Sequence, residues 1–182
     1  MPPVFDDPVP AEELDISSMQ LGIDGLELTL TSREQVRSIA QTLAQQTHRE
    51  LLLYTDDLEP EIFDQQAFLE AASDLLRQHQ DAHMWILLEN SRKTVQYGHR
   101  LIELARRLTS QIQIRRPPGQ YRNHGETFLL CDVTAYFYRP LASRYEGSAN
   151  FNNPGQAAVY RNKFMEIWEQ SQPDSETRRL HI

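Results

Sequence analysis

Between Arg122 and Asn153 the chain reads RNHGETFLLCDVTAYFYRPLASRYEGSANFNN, and the side chains best suited to chemistry lie there. His124 enters an apolar run, Asp132 stands at its far end, and Gly147-Ser148-Ala149-Asn150 follows. An imidazole can gain or lose a proton near neutral pH, which suits it to acid–base work. Arg115, Arg116, Arg122 and Arg139 flank these runs and could clamp an anion through their forked guanidinium donors. Asp56, Asp57, Glu59 and Glu61 follow another apolar run, where α/β proteins bind ligands. A run of acids in a loop reads first as a solvated face, so no metal is expected. His48, His79 and His83 fall on separate elements without ligand spacing. Cys131, the single cysteine, cannot form an internal disulfide or a zinc site and reads as a small buried hydrophobe.

The 182 residues are 40% hydrophobic and 24% charged, the balance of a soluble globular domain able to bury a core. No apolar run approaches the roughly 18 residues that span a bilayer, and the acidic, proline-rich start does not read as a signal peptide. A cytoplasmic protein is expected. The net charge of −8 hides a reversal. Residues 1–91 carry 18 acids against four Lys/Arg, whereas residues 92–144 carry 10 Lys/Arg against three acids. The basic middle is either an anion-binding face or a surface that pairs with the acidic half. Overall acidity argues against nonspecific duplex binding, so nucleic acid is not expected as a partner.

The elements that must position these residues alternate. Residues 1–20 read as a flexible acidic and proline-rich tail, and 172–182 as a polar C-terminal tail. Leu26–Leu30 reads as a short strand, and Thr31-Ser32-Arg33-Glu34 as a capping box opening a helix to about Thr47. Glu50–Tyr54 is a buried parallel strand, 66–79 a helix, and His83–Leu88 another central strand. A third helix is expected over 93–108, where Arg92, Lys93, His99, Arg100, Arg106 and Arg107 form an exposed basic face. Ile112–Ile114 is a short strand, and Thr127–Leu130 with Ala135–Tyr138 a hairpin around Asp132. A last helix starts after Asn153 with Pro154 at its first position and turns Ala157, Tyr160, Phe164, Ile167 and Trp168 inward. The pattern predicts one α/β domain over 21–171, a sandwich with a mixed sheet flanked by helices.

The order of His124, Asp132 and Gly147–Asn150 resembles the signature of the phospholipase D-like superfamily: His-x-Lys, four residues, Asp, then Gly-Ser-x-Asn. Phe164-xxx-Trp168 on the closing helix also fits that family. More narrowly, the chain is similar to an uncharacterised family of small proteobacterial proteins. The resemblance implies a phospholipase D-like fold in which two histidines face each other. One attacks phosphorus and the other protonates the leaving alcohol and then activates water. Lysine and asparagine hold the nonbridging oxygens, the acid orients an imidazole, and single-motif members complete the site as homodimers. Carried over, the catalytic candidates are His124, Asp132 and Asn150.

The departures are specific. Glu126 stands at the lysine position, and at 4 Å two like unit charges repel by about 4 kcal/mol at an effective dielectric of 20. Cys131 occupies the acid's register, and a one-residue slip turns Asp132 to the other face of a strand unless a bulge restores it. Asp132 then reads more simply as a hairpin-turn acid. Gly147–Asn150 comes about ten residues late and also reads as a polar loop leading to the helix capped by Asn153.

No nucleotide-binding glycine loop and no Gly-x-Ser-x-Gly elbow occurs, and no cofactor is expected. The leading expectation is a noncatalytic phospholipase D-like domain that binds a small anionic ligand or a protein partner near Arg115, Arg116, Arg122 and His124. Two alternatives stand beside it. One is a homodimeric phosphodiesterase using His124 from each subunit; the other is a structural or regulatory interaction module without a ligand.

Overall fold

The computed structural model describes residues 7–178. In chain order the strands are β1 (Val9–Pro10), β2 (Leu28–Leu30), β3 (Glu50–Thr55), β4 (His83–Leu88), β5 (Ile112–Arg116), β6 (Thr127–Cys131), β7 (Ala135–Arg139), β8 (Gly147–Asn150) and β9 (Gln172–Pro173). The α-helices are α1 (Arg33–Gln46), α2 (Gln66–Gln78), α3 (Ser91–Tyr97), α4 (Arg100–Arg107), α5 (Pro154–Gln170) and α6 (Ser175–Arg178). All nine strands among the described residues join one sheet in the order β1-β2-β8-β7-β6-β3-β4-β5-β9. β3, β4 and β5 run parallel, and β6, β7 and β8 are antiparallel to their neighbours, so the sheet is mixed as expected.

β3 lies inside the sheet between β6 and β4 and is buried at every position, which is why Leu51–Tyr54 is a continuous apolar run rather than an alternation. The sheet has a core on each face. Leu51, Leu53, Leu129, Cys131 and Phe137 pack with α1, α2 and α4, while Leu52, Tyr54, Phe128, Leu130 and Tyr136 pack under α5. From α5 come Ala157, Phe164, Ile167 and Trp168, the inward residues that the helical spacing selects. Each large apolar side chain buried this way contributes on the order of 1.5–3 kcal/mol. Asn153 caps α5 through its side chain and Pro154 opens it, as expected.

Several boundaries differ from the sequence reading for local reasons. The capping box of α1 is Ser32 with Gln35, one residue later than the Thr31–Glu34 pair. The helix expected over 93–108 is two, broken at Gly98, whose φ of +77° a glycine adopts without steric cost. His99 is not on an exposed basic face. It is buried, caps α4 by accepting from Leu101 N–H, and its Nε2 lies 3.0 Å from the Leu58 carbonyl. Burial pushes its imidazole toward the neutral form, with Asp64 opposing.

The residues expected as tails also have places in the fold. Ala11, Ile16 and Met19 are buried in the core, and β1 pairs with β2. β9 pairs with the end of β5, and the Asp174 carboxylate accepts from the buried Ser91 hydroxyl. Residues 1–6 and 179–182, the outer parts of those expected tails, lie outside the described residues. Among the described residues no helix is long and apolar enough to cross a membrane.

Candidate functional site

β6 connects His124 to Asp132, and its antiparallel register sets those residues at opposite ends of the sheet. Phe128 lies beside Tyr54 near the carboxyl end of β3, and Cys131 beside Leu51 near its start. The four-residue rise of β6 alone separates the two ends by about 13 Å.

At the first end, the loop into β6 turns through two positive φ angles, Asn123 at +67° and Gly125 at +75°. Asn123 N–H donates to Glu89 Oε2 at 2.7 Å, which ties the loop to the end of β4. His124 is exposed, with Nε2 3.1 Å from the Gln120 carbonyl. A carbonyl only accepts, so this contact requires the proton on Nε2 and leaves Nδ1 as the basic nitrogen.

Glu126 is buried and forms an ion pair with Lys163 of α5. Beside it, burial and the Glu126 carboxylate push the Tyr138 phenol up. Tyr54 lies 2.6 Å from Glu89 Oε1 and 2.5 Å from the Tyr121 carbonyl; burial and Glu89 push its phenol up as well. The Glu126 carboxylate is thus matched from within the chain.

At the other end, Asp132 turns its carboxylate to the backbone. Its carboxylate accepts from the backbone N–H groups of His48, Arg49 and Glu50 at 2.7, 2.7 and 3.0 Å, closing the start of β3. Its φ of +51° and that of Val133, +53°, make the tight hairpin turn. This agrees with the turn-acid reading and leaves Asp132 far from His124.

Gly147–Asn150 is a strand rather than a polar loop. A Cβ at Gly147 would collide with the Tyr138 carbonyl and the Arg139 side chain, so glycine is required by close packing on β7. Asn150 is buried opposite Tyr136 and donates to the Gly25 carbonyl at 3.1 Å and to Glu27 Oε2 at 3.0 Å. It fastens the segment before β2 to β8. His124, Asp132 and Asn150 are therefore not brought together in one subunit.

The four arginines also separate. Arg139 is fully buried, its guanidinium held by Glu59 Oε2 at 2.6 Å and by the Ala142 and Arg144 carbonyls. That pairing anchors the 140–145 loop and does not suit Arg139 to clamp an external anion. Arg115 donates to the Trp168 carbonyl at 3.0 Å and lies 4.3 Å over the Trp168 ring. Arg116 is exposed, and Arg122 is half-buried with a sheltered Nε that has no hydrogen-bond partner among the described residues. Arg116, Arg122 and His124 thus share one segment at the first end.

The acids of the 56–61 run are dispersed among Asn90, Lys93, Arg139 and Arg33. Among the described residues no cluster of three His, Cys, Asp or Glu could hold a metal ion. Glu89 and Lys163 are the residues that sequence reasoning missed here. The signal for Lys163 was its spacing of three from Tyr160 on the inward side of α5, and for Glu89 its place at the end of an apolar strand.

Solved structures share this architecture. TrmBL2, an archaeal chromatin protein described with a novel mode of DNA binding, aligns at a TM-score of 0.60 and 14% identity over 86% of this chain. The chain spans 56% of TrmBL2. Nuc, a phospholipase D family member from Salmonella typhimurium, aligns at 0.51 and 13% identity over 76% of this chain and 90% of its own. Phosphatidylserine synthase from Haemophilus influenzae Rd KW20 aligns at 0.56 and 13% identity over 86% of this chain and 40% of its own.

At such identities the likeness is one of fold, and the fold is phospholipase D-like, as the motif implied. A DNA-binding neighbour runs against the expectation that nucleic acid is no partner, though again at the level of fold. No curated protein matches the chain by sequence. A family model does match it, from the N-cap of α1 to beyond α6 over residues 32–180, and the chain belongs to that family, the Domain of unknown function (DUF7931).

Proposed function

We propose that this is a noncatalytic phospholipase D-like domain whose 116–124 segment binds a phosphate-bearing anion. The observation that carries the reading is Arg122: its Nε is sheltered from water without a partner among the described residues, on a segment that also exposes Arg116 and His124. A buried donor left unpaired costs about 1–3 kcal/mol, and an anion that supplies an acceptor recovers it. Position 126 argues against turnover, because a phosphoryl group would meet the Glu126 carboxylate in place of a lysine, and Lys163 is already engaged there.

The test is a titration followed by backbone amide resonances, with dimethyl phosphate and a short single-stranded oligonucleotide as separate probes. Binding should shift residues 116–124 saturably, and Arg122→Gln should weaken it about tenfold, the loss of one charge-assisted hydrogen bond. If the oligonucleotide alone binds, the ligand is nucleic acid. No shift with either probe overturns the binding reading. Hydrolysis of bis(p-nitrophenyl) phosphate that disappears in His124→Ala overturns the noncatalytic one.

A further inference from the structure

The 116–124 segment is seated on the carboxyl ends of β3 and β4. Glu89, one residue beyond β4, is buried, and its two oxygens serve different partners. Oε2 accepts from Asn123 N–H at 2.7 Å, and Oε1 lies 2.6 Å from the Tyr54 hydroxyl. That hydroxyl also lies 2.5 Å from the Tyr121 carbonyl. Glu89 therefore reaches the segment twice, directly at Asn123 and through Tyr54 at Tyr121, on either side of Arg122.

Tyr54 is fully buried, and its ring stacks on Phe128 with centroids 5.3 Å apart. A phenol carries one proton, so Tyr54 can donate fully to Glu89 or to the Tyr121 carbonyl but not to both. From α5, Glu166 Oε1 accepts from the Tyr121 hydroxyl at 2.9 Å, and Gln170 Nε2 donates to it at 2.8 Å. Asn123 holds a φ of +67°, uncommon outside glycine, with its N–H turned to Glu89. Both neighbours of Arg122 are thus pinned, while its own sheltered Nε has no partner among the described residues.

We propose, resting on the phosphate reading of this segment, that Glu89 is its positioning residue: it holds Tyr121 and Asn123 so that Arg122 meets the anion already ordered. A loop fixed beforehand loses less conformational freedom on binding, so the tie shows in affinity. The chemistry needed at position 89 is a pair of hydrogen bonds rather than a charge. A glutamine there supplies both. Its amide oxygen accepts from Asn123, and its NH2 donates to Tyr54, whose proton then serves the Tyr121 carbonyl.

The experiment compares Glu89→Ala, Glu89→Gln and Tyr54→Phe with the parent by amide hydrogen exchange and by titration with dimethyl phosphate. It is run at a temperature where thermal midpoints show every variant folded. In the free parent the Asn123 amide should exchange slowly although the residue is exposed. Glu89→Ala should lose that protection and bind dimethyl phosphate about tenfold more weakly. Tyr54→Phe keeps the ring and should weaken binding severalfold with Asn123 still protected. Glu89→Gln should restore both protection and affinity. A role in stability alone would lower the midpoint of Glu89→Ala and leave the affinity of the folded protein as in the parent.

The proposal fails if Glu89→Ala binds as the parent does, or if Glu89→Gln binds as weakly as Glu89→Ala. Free exchange of Asn123 in a parent that binds dimethyl phosphate sinks the positioning role alone. A parent that protects Asn123 but binds nothing sinks the phosphate reading, and the positioning role with it.

Discussion

The two ends of β6 carry similar charge and use it differently. At the Asp132 end two acids are engaged by the fold: Asp132 by three backbone N–H groups, Glu50 by Arg161 and His83. At the His124 end the interior charges are also matched, Glu126 by Lys163 and Glu59 by Arg139, but a rim of Arg116, Arg122 and His124 remains toward solvent. A charge closed on the backbone holds a turn; a charge held at a rim is available to a ligand. The difference follows from the loops. The Asp132 turn is tight and its acid is spent on backbone N–H groups, whereas the 117–126 connection is long enough to present side chains.

Four measurements would break or sharpen that comparison, beginning with the largest effect. Arg139→Met leaves Glu59 without its cation, and burial already pushes the Glu59 carboxyl up against Arg139's pull. Removing one partner of a buried pair costs about 3–5 kcal/mol, so urea unfolding should show a loss of that order. A change below about 1 kcal/mol would place Arg139 with the rim instead.

Asp132→Ala removes the acceptor of three N–H groups and puts a Cβ-bearing residue without a turn-forming side chain at positive φ. A loss of about 2–3 kcal/mol is expected in the same assay, with anion binding at 116–124 unchanged. Altered binding would mean that the two ends communicate.

The third is a pH dependence. Burial alone would raise the Glu50 carboxyl, but hydrogen bonds from His83 and Arg161 hold it at about 2, below its ordinary 4.5. A depressed folded value contributes stability that is present above pH 4.5 and lost as pH falls through 2. Glu50→Gln should therefore flatten the acid limb of stability in that window; an unchanged limb would remove Glu50 from the structural end. The smallest effect belongs to His124→Ala, which should leave stability within about 0.5 kcal/mol because the ring is exposed. A larger loss would make the Gln120 contact a structural strut.

Much of the fold was legible. The apolar runs Glu50–Tyr54 and His83–Leu88, the stripe of α5 and its Asn153–Pro154 start all appear where their periodicity put them. Less of the site was. Arg139 and Arg116 are alike in sequence, yet one is fully buried and the other exposed, because Arg139 meets Glu59 across 80 residues. Lys163 and Glu126 are separated by 37 residues and meet only when α5 closes over β6. No local pattern announces such a partner.

What the sequence determined by itself was therefore whatever depends on near neighbours: apolar runs, helical stripes and the Asn153–Pro154 helix start, all consequences of backbone geometry and burial period. It also carried the ordered trio His124, Asp132 and Asn150 as a mark of the phospholipase D-like fold. Only the tertiary structure decided where each member of the trio sits and what it touches. An eight-residue separation along a strand means opposite ends of a sheet, and charges acquire their roles from partners far away in the chain.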